Sequence, residues 1–256
     1  MRAFSSPTSY DNEFFSKQVD DALQSARVIA PIVIKLLRPR SVVDVGCGRG
    51  AWLRAFADCG VDTICGVDGN YVDRSKLLID PACFHPANLA REFTLDRTFD
   101  LAVCLEVAEH IPDARSRYLV KSLTEVAPSV LFSAALPGQD GVNHINEQWP
   151  SYWRDRFAEL GFAMFDPFRP SLRNDRRIAW WYRQNVLLFA NDTARVAHPS
   201  LEQYFCGADA DDIEWIHALA VRRHPGLRQV LRALPFAFGR SLGRHLRRSS
   251  RPESGG

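Results

Sequence analysis

A short glycine-rich segment constrains the fold of this chain more strongly than any other part of its sequence. The apolar run SVVDV at residues 41–45 leads directly into the run GCGRG at residues 46–50. Glycine allows the backbone to turn sharply after a strand, and it lets a ligand approach the backbone without a Cβ atom in the way. The segment therefore predicts a buried strand, then a tight ligand-binding turn, and then a helix over residues 51–58.

The stretches around this loop alternate between strand-like and helical patterns. Apolar strand-like runs lie at residues 61–67, 99–105, 129–133 and 162–165, and amphipathic helical stretches at 19–37, 113–126 and 151–160. Such alternation is typical of βαβ units, which build a parallel sheet. The aromatic and apolar run at residues 180–190 predicts a final strand. Beyond residue 191 the alternation stops, and residues 201–220 predict a helix.

The spacing of the glycines separates this loop from the loops that bind nicotinamide cofactors. Those loops read Gly-x-Gly-x-x-Gly and cradle a pyrophosphate. Here the pattern is Gly-x-Gly-x-Gly, and Asp44 precedes its first glycine by two residues. An acid at the end of the first strand suits a ligand that carries a positively charged amino group. Taken alone, the loop also fits a glycine-rich turn in another kind of α/β protein.

Together with a second acid, the loop resembles motif I of the class I S-adenosylmethionine-dependent methyltransferases. Asp68 ends the second predicted strand, 20 residues after Gly48, where that family binds the ribose hydroxyls. The resemblance covers about residues 10–190 and implies S-adenosyl-L-methionine as the cofactor. The residues that would form its pocket are Asp44, Gly46, Cys47, Gly48, Gly50, Asp68, Gly69, Asn88, Leu89 and Leu105.

The resemblance also implies an architecture. Members of this family form a Rossmann-like three-layer α/β sandwich, with a mostly parallel seven-stranded sheet and an antiparallel last strand. We therefore expect residues 1–191 to form the methyltransferase domain, including an N-terminal cap helix. Residues 192–256 would form a helical, basic C-terminal extension with a disordered end.

A cluster of carboxylates and histidines follows the predicted strand at residues 99–105. If a helical turn starts there, Glu106, Glu109 and His110 occupy positions i, i+3 and i+4 on one face. His144, in the loop after the next strand, is a fourth candidate. The carboxyl ends of parallel strands are where open α/β sheets hold their active sites. Carboxylates combined with neutral imidazole suit Mg²⁺ or Mn²⁺.

This Glu-x-x-Glu-His arrangement with a later histidine resembles the metal site of the small-RNA 2′-O-methyltransferases and a pattern in ubiquinone-biosynthesis O-methyltransferases. It implies one ion bound by Glu106, Glu109, His110 and His144, which would hold two hydroxyls of the acceptor and lower the pKa of the attacked oxygen. A metal-free site with His110 as general base is one alternative, and a purely structural role is another. The catalytic candidates are His110, Glu109 and His144.

Aromatic residues near the predicted site allow two interpretations. Trp149, Tyr152 and Trp153 could form a wall against a sugar or ring of the acceptor, whereas Trp153 with Phe157 fits core packing better. Three further aromatic residues near the N-terminus could cover the cofactor as a lid or pack locally: Tyr10, Phe14 and Phe15.

Charge is distributed unevenly along the chain. The formal net charge is +2, yet residues 221–256 hold nine arginines and one acidic residue. A basic amphipathic tail of this kind can lie on an anionic membrane surface, or it can be a solvated arginine-rich helix whose apolar side packs on the body. The acidic balance of the remaining chain disfavours nucleic acid. No secretory signal, no apolar run of roughly 18 residues and no Cys-x-x-Cys pair occur. We therefore expect a cytoplasmic protein; in the membrane-contact interpretation, its tail lies at the inner membrane face.

The leading functional hypothesis is O-methylation of a hydroxyl on a small molecule, a glycan or a lipid-linked intermediate. It depends on the cofactor pattern combined with a polar cluster that suits oxygen chemistry. An RNA 2′-O-methyltransferase is the first alternative, and a non-catalytic module that binds S-adenosylmethionine is the second.

Overall fold

Seven strands form one sheet in the spatial order β3-β2-β1-β4-β5-β7-β6. The computed structural model describes the backbone of residues 9–207 and 211–214, and the side chains of residues 19–207, 213 and 214. The strands are β1 Ser41–Val45, β2 Thr63–Asp68, β3 Phe84–Pro86, β4 Leu101–Leu105, β5 Ser129–Ser133, β6 Phe162–Phe165 and β7 Leu187–Asn191.

Helices connect these strands and cover both faces of the sheet. They are α1 Ser9–Leu37, α2 Ala51–Asp58, α3 Asp113–Val126, α4 Pro150–Ala158, α5 Arg169–Leu172, α6 Trp180–Asn185 and α7 Asp192–Ala197. Short 3-10 turns span Arg74–Lys76, Pro81–Cys83, Ala108–His110, Pro199–Tyr204 and Asp211–Glu214.

Strands β1 to β5 run parallel, and β7 runs antiparallel to both β5 and β6. The register pairs Asp44 with Gly66 on one side and with Val103 on the other, so Asp44 lies on the central strand near its carboxyl end. The predicted Rossmann-like sandwich, mostly parallel with an antiparallel last strand, is confirmed.

The core consists of two apolar layers, one on each face of the sheet. Val42 of β1 packs in the layer that includes α1 and α2, whereas Val43 and Val45 pack in the layer that includes α3 and α4. Both faces are buried because helices cover both, which explains why β1 is a nearly continuous apolar run and not an alternating one. The carboxyl edge of the sheet is left for polar side chains.

The predicted strand at residues 180–190 is wrong in its first half. Trp180–Asn185 is helix α6, and only Leu187–Asn191 is a strand. The run holds a single β-branched residue, Val186, so its β propensity rested on aromatic residues, which also pack well from a helix. In α6 the ring of Tyr182 meets the ring of Trp52 edge-on, with centroids 5.1 Å apart.

The predicted helix at residues 201–220 is also wrong over its described part. The 3-10 turn Pro199–Tyr204 ends where Phe205 forms an antiparallel bridge with Phe165, and a second 3-10 turn spans Asp211–Glu214. The side chain of Leu201 is fully buried in the layer that includes α1. The chain beyond residue 191 thus continues to pack on the same core, and the domain boundary at that position stays a prediction.

Several expectations fall on residues that the structure leaves undescribed. They are the aromatic lid of Tyr10, Phe14 and Phe15, whose side chains are not described, and the basic tail at residues 221–256 with its membrane contact. Within the described part of the chain, no helix is both long and apolar enough to cross a bilayer.

Candidate cofactor pocket and active site

The glycine loop after β1 lies against the turn that follows β4. Gly46 has φ +85°, and a Cβ atom there would lie 2.3 Å from Cγ2 of Val107, so only glycine fits. Gly48 also has a positive φ, and no described atom beyond its two chain neighbours lies within 4 Å of where its Cβ would be. The loop therefore contacts the β4 turn on one side and leaves space for a ligand on the other.

Asp68 is bonded directly to this loop. Its Oδ2 accepts a hydrogen bond from the amide of Gly48 at 2.8 Å, and its Oδ1 accepts one from the amide of Gly69 at 2.6 Å. The residue is only 4% exposed. Two residues that are 20 positions apart in the sequence thus form one polar edge, as expected for a carboxylate that receives ribose hydroxyls.

Asp44 places a carboxyl group in the interior near the same loop. It is 2% exposed, and its Oδ2 accepts no hydrogen bond from any described residue. Burial, reinforced by the charge of Asp68, raises the pKa of Asp44 well above its ordinary value. A ligand that brings a positive charge would stabilise this carboxylate, because it would offset the lost solvation.

Tyr71 covers part of this edge and was not predicted from the sequence. Its hydroxyl donates a hydrogen bond to Oδ1 of Asp68. Its ring lies across Gly69, where a Cβ atom would come within 2.2 Å of the ring, yet 83% of the residue is exposed. Tyr71 thus occupies one of the carboxylate oxygens that a ribose would use.

The remaining predicted pocket residues differ in their burial and in their backbone contacts. Leu89 and Leu105 are buried in the core, and the Cys47 amide lies 3.3 Å from the carbonyl oxygen of Val67. Gly50 caps the start of α2 in a left-handed conformation. Asn88 is exposed, and its Oδ1 accepts from the amide of Ala90 at 3.0 Å, so it serves a local turn.

Glu106 does not share a helical face with Glu109. It has φ +56°, and the 3-10 turn begins only at Ala108, so the predicted i, i+3, i+4 arrangement is wrong. The carboxylate of Glu106 accepts hydrogen bonds from Nδ2 of Asn185 at 3.1 Å and from Nε2 of Gln139 at 3.2 Å. These two amides hold the carboxylate of Glu106, and sequence reasoning missed both.

Three of the four predicted metal ligands come together. One ligand atom each of Glu109, His110 and His144 lies within 4.8 Å of the others, and Glu106 is outside this group. The two imidazole rings meet edge-on, with centroids 5.0 Å apart. Strand β4 and the loop after β5 deliver these residues, because neighbouring parallel strands end at the same edge of the sheet.

Glu109 is a buried carboxyl group without an adequate partner. It is fully buried, and neither oxygen accepts a hydrogen bond of ordinary geometry from the described residues. Burial and the charge of Glu106 raise its pKa well above the ordinary value, and the nearby amides of Glu109 and Ala135 offset only part of this. A divalent cation would satisfy these oxygens, so the group fits such an ion.

His110 has one ring nitrogen available. Its Nδ1 lies 3.2 Å from the carbonyl oxygen of Asn143. A carbonyl only accepts, so Nδ1 carries the hydrogen and Nε2 is left with a lone pair. Burial lowers the pKa of His110, an effect that the Asn143 carbonyl partly opposes. A neutral imidazole with a free Nε2 suits either a metal ligand or a general base.

The aromatic residues after residue 148 mostly serve the core. Trp153 is 2% exposed and packs on Phe132, which also contacts Phe157, so the core-packing interpretation of Trp153 with Phe157 is confirmed. The hydroxyl of Tyr152 bonds to Asp113 of α3. The contact of Tyr152 holds α4 against α3. Neither Trp153 nor Tyr152 gives an observation that supports the predicted wall against the acceptor.

The strand order, the antiparallel β7 and the glycine loop that is bonded to Asp68 define the Rossmann-like class I methyltransferase fold. A sequence model described as a methyltransferase domain matches residues 16–185. The chain belongs to this family of S-adenosylmethionine-dependent methyltransferases.

One curated relative is the probable chloroplastic tocopherol O-methyltransferase of Oryza sativa subsp. japonica. It is 35% identical over 98 residues, which cover 35% of this chain and 26% of that protein. The chain thus matches about a quarter of that relative's length.

Two solved structures share the fold at low identity. The amino pentose methyltransferase CalS10 from Micromonospora echinaspora, with bound SAM, has a TM-score of 0.53 at 13% identity, covering 74% of this chain and 100% of that one. The magnesium protoporphyrin IX methyltransferase of Synechocystis PCC 6803, with bound SAH, has a TM-score of 0.50 at 16% identity, covering 74% and 90%.

Proposed function

We propose that this protein is an S-adenosylmethionine-dependent O-methyltransferase that acts on a hydroxyl of a small molecule, a glycan or a lipid-linked intermediate. The observation that carries the proposal is the close approach of Gly46 to Val107. Val107 precedes the buried Glu109 by two positions in the sequence, so the glycine loop lies beside the segment that holds Glu109. A cofactor in the loop would therefore lie beside a polar cluster suited to a hydroxyl. The name of the rice relative, an O-methyltransferase, supports the same chemistry.

Two acids would bind the cofactor. The buried carboxylate of Asp44 suits the amino group of the methionine part, because the positive charge would offset the cost of burying a negative one. The carboxylate of Asp68 suits the two ribose hydroxyls, with Tyr71 moving aside. The uncovered backbone at Gly48 leaves room for the adenosine between them.

The reaction requires a hydroxyl oxygen and a route for its proton. The oxygen attacks the methyl carbon in line with the sulfonium sulfur, a C–O bond forms, the C–S bond breaks, and S-adenosylhomocysteine leaves. A divalent cation bound by Glu109, His110 and His144 would supply Lewis-acid chemistry, which lowers the pKa of the hydroxyl. With such a cation the hydroxyl proton would pass to bulk water, and in a metal-free site Nε2 of His110 would accept it.

The cofactor assignment is tested by Asp68→Ala. Loss of the ribose partner should weaken binding of S-adenosylmethionine by about 1–3 kcal/mol, measured by isothermal titration calorimetry. Asp73→Asn is the control, because Asp73 is an exposed aspartate whose contacts are local: it caps the following 3-10 turn and pairs with Lys76 at 3.4 Å. Equal affinity of the Asp68→Ala variant and the wild type would remove Asp68 from the pocket.

The metal and the acceptor are tested together with labelled methyl groups. Cell extract is separated into lipid, glycan, RNA and small-molecule fractions, and each is incubated with enzyme and cofactor. If the site binds a cation, EDTA should abolish methyl transfer and Mg²⁺ or Mn²⁺ should restore it. The Glu109→Ala variant should no longer respond to added metal. Full activity in excess EDTA rules the cation out, and labelling confined to RNA would favour the RNA 2′-O-methyltransferase alternative.

A further inference from the structure

We propose that Glu147 is a positioning residue that fixes the tautomer and orientation of His144. The proposal extends the proposed function, since it concerns how one histidine of that site is held. Glu147 is not a member of the group formed by Glu109, His110 and His144. Its role would be exerted entirely through the ring of His144 and the loop around it.

Glu147 accepts three hydrogen bonds from the loop after β5. Its Oε1 lies 3.1 Å from Nδ1 of His144 and 3.0 Å from the amide of Asp140, and its Oε2 lies 2.7 Å from the amide of Gly138. The side chains of His144 and Glu147 are only 14% and 19% exposed. A carboxylate with three donors and little contact with water holds its position firmly.

This contact determines which nitrogen of His144 carries the hydrogen. An ionised carboxylate only accepts, so Nδ1 of His144 must donate to Glu147. In the neutral ring Nε2 then has the lone pair that a metal ligand or a proton acceptor needs. Histidines that bind metals are commonly oriented by a carboxylate on their other nitrogen in this way.

The same loop holds His144 from a second side. A Cβ atom on Gly141 would lie 2.2 Å from Nε2 of His144, so the ring rests where only a glycine leaves room. Asp140 and Asn143 flank this segment with φ +64° and +61°, a left-handed conformation that non-glycine residues adopt at a cost. The hydrogen bonds that the amides of Gly138 and Asp140 donate to Glu147 help to hold this geometry.

The loop also orients the partner ring. The carbonyl of Asn143 accepts from Nδ1 of His110, just as Glu147 accepts from Nδ1 of His144. Both imidazoles are therefore held through Nδ1, and in the neutral rings each Nε2 carries the lone pair. The difference is that a carboxylate holds one ring and a backbone carbonyl holds the other, so only the His144 contact can be removed by a side-chain substitution.

The test compares ring ¹⁵N signals of the full chain labelled at histidine. In the wild type, His144 should show the tautomer with hydrogen on Nδ1, and in Glu147→Ala it should shift to a mixture of the two tautomers. Manganese affinity, followed by the relaxation of water protons, should fall by about 10–100-fold in the same variant. Cofactor affinity should stay within twofold of the wild type, because Glu147 lies outside the glycine loop.

Glu159→Ala is the matched control. Glu159 is an exposed carboxylate paired with Arg156 at 3.8 Å, and its loss should leave the His144 signals and the manganese affinity unchanged. A wild-type His144 with its hydrogen on Nε2, or unchanged signals in Glu147→Ala, would overturn the proposal. A wild type that binds no manganese would instead remove the cation from the proposed function, and the ring signals would still decide the role of Glu147.

Discussion

Asp44, proposed to bind the amino group of the cofactor, is a buried carboxyl group whose protonation also affects stability. Its raised pKa means that the folded protein binds a proton more tightly there than the unfolded chain does. Folding is therefore penalised as the pH rises above the unfolded value of about 3.9, and the penalty grows until the pH passes the raised folded value. If Asp44 binds a cationic amino group as proposed, its burial destabilises the protein whenever that ligand is absent.

Asp44→Asn should therefore stabilise the cofactor-free protein at neutral pH. The gain should be about 1–3 kcal/mol, small at pH 4 and larger at pH 8, because the amide never ionises. Thermal unfolding of both proteins at several pH values measures it, and calorimetry should show weaker binding of S-adenosylmethionine by the variant. A stability difference that does not change with pH would contradict the assignment of the shift to Asp44.

In the proposed cofactor pocket, Tyr71 would compete with the ribose for Asp68. Tyr71→Phe removes the hydroxyl that occupies Oδ1 of Asp68 but keeps the ring over Gly69. Binding of S-adenosylmethionine should tighten by about 0.5–1.5 kcal/mol, the usual net value of one hydrogen bond. Calorimetry measures the change, and Tyr118→Phe, at an exposed hydroxyl bonded to Arg117, is the control. Weaker binding would mean that the Tyr71 hydroxyl contacts the cofactor itself.

Among individual residues, sequence patterns predicted the candidates that a local spacing defines. They missed the residues that reach the candidate site from distant segments. Asp44 and Asp68 could be found because each stands at a fixed distance from a glycine run. Gln139 and Asn185 could not, because they reach Glu106 from segments 33 and 79 residues away. No spacing rule connects such positions; only the folded sheet brings them together.

The loop after β5 is the element on which the proposed chemistry depends. Gly141→Ala would place a Cβ atom 2.2 Å from Nε2 of His144, so the ring must move. We expect methyl transfer to fall at least tenfold, measured with labelled cofactor, while cofactor affinity stays constant. Gly207→Ala is the control, because its nearest described neighbour would be 3.6 Å away, which is ordinary contact. Unchanged transfer would show that the position of His144 is immaterial.

Elements with one dominant local signal were predicted closely, and elements shaped by packing were not. Helix α3 and strand β5 have the predicted bounds, because amphipathic spacing and an apolar run identify them. A strand was predicted where helix α6 lies, since aromatic residues favour strands locally, whereas tertiary contacts such as that of Trp52 with Tyr182 accompany the helix. Local propensity is a weak guide where tertiary packing decides.

The two apolar layers make the stability of the whole molecule sensitive to single core residues. Phe157 of α4 is fully buried and stacks on Phe189 of β7 with centroids 3.9 Å apart. Phe157→Ala should lower the free energy of unfolding by about 3–5 kcal/mol, measured by denaturant titration. Leu160→Ala, at a residue 43% exposed, should change it by less than about 0.5 kcal/mol. Similar losses in both variants would contradict this picture of the core.

The contact between Gly46 and Val107 separates two groups of segments in the proposed active site. On one side of it, β1 and β2 supply the groups proposed for the cofactor; on the other, β4 and the segment after β5 supply those proposed for chemistry. Grafting residues 138–148 from a relative should therefore redirect the enzyme toward a new acceptor and leave recognition of the methyl donor intact. The segment after β5 can therefore diverge among relatives while β1 and β2 stay the same.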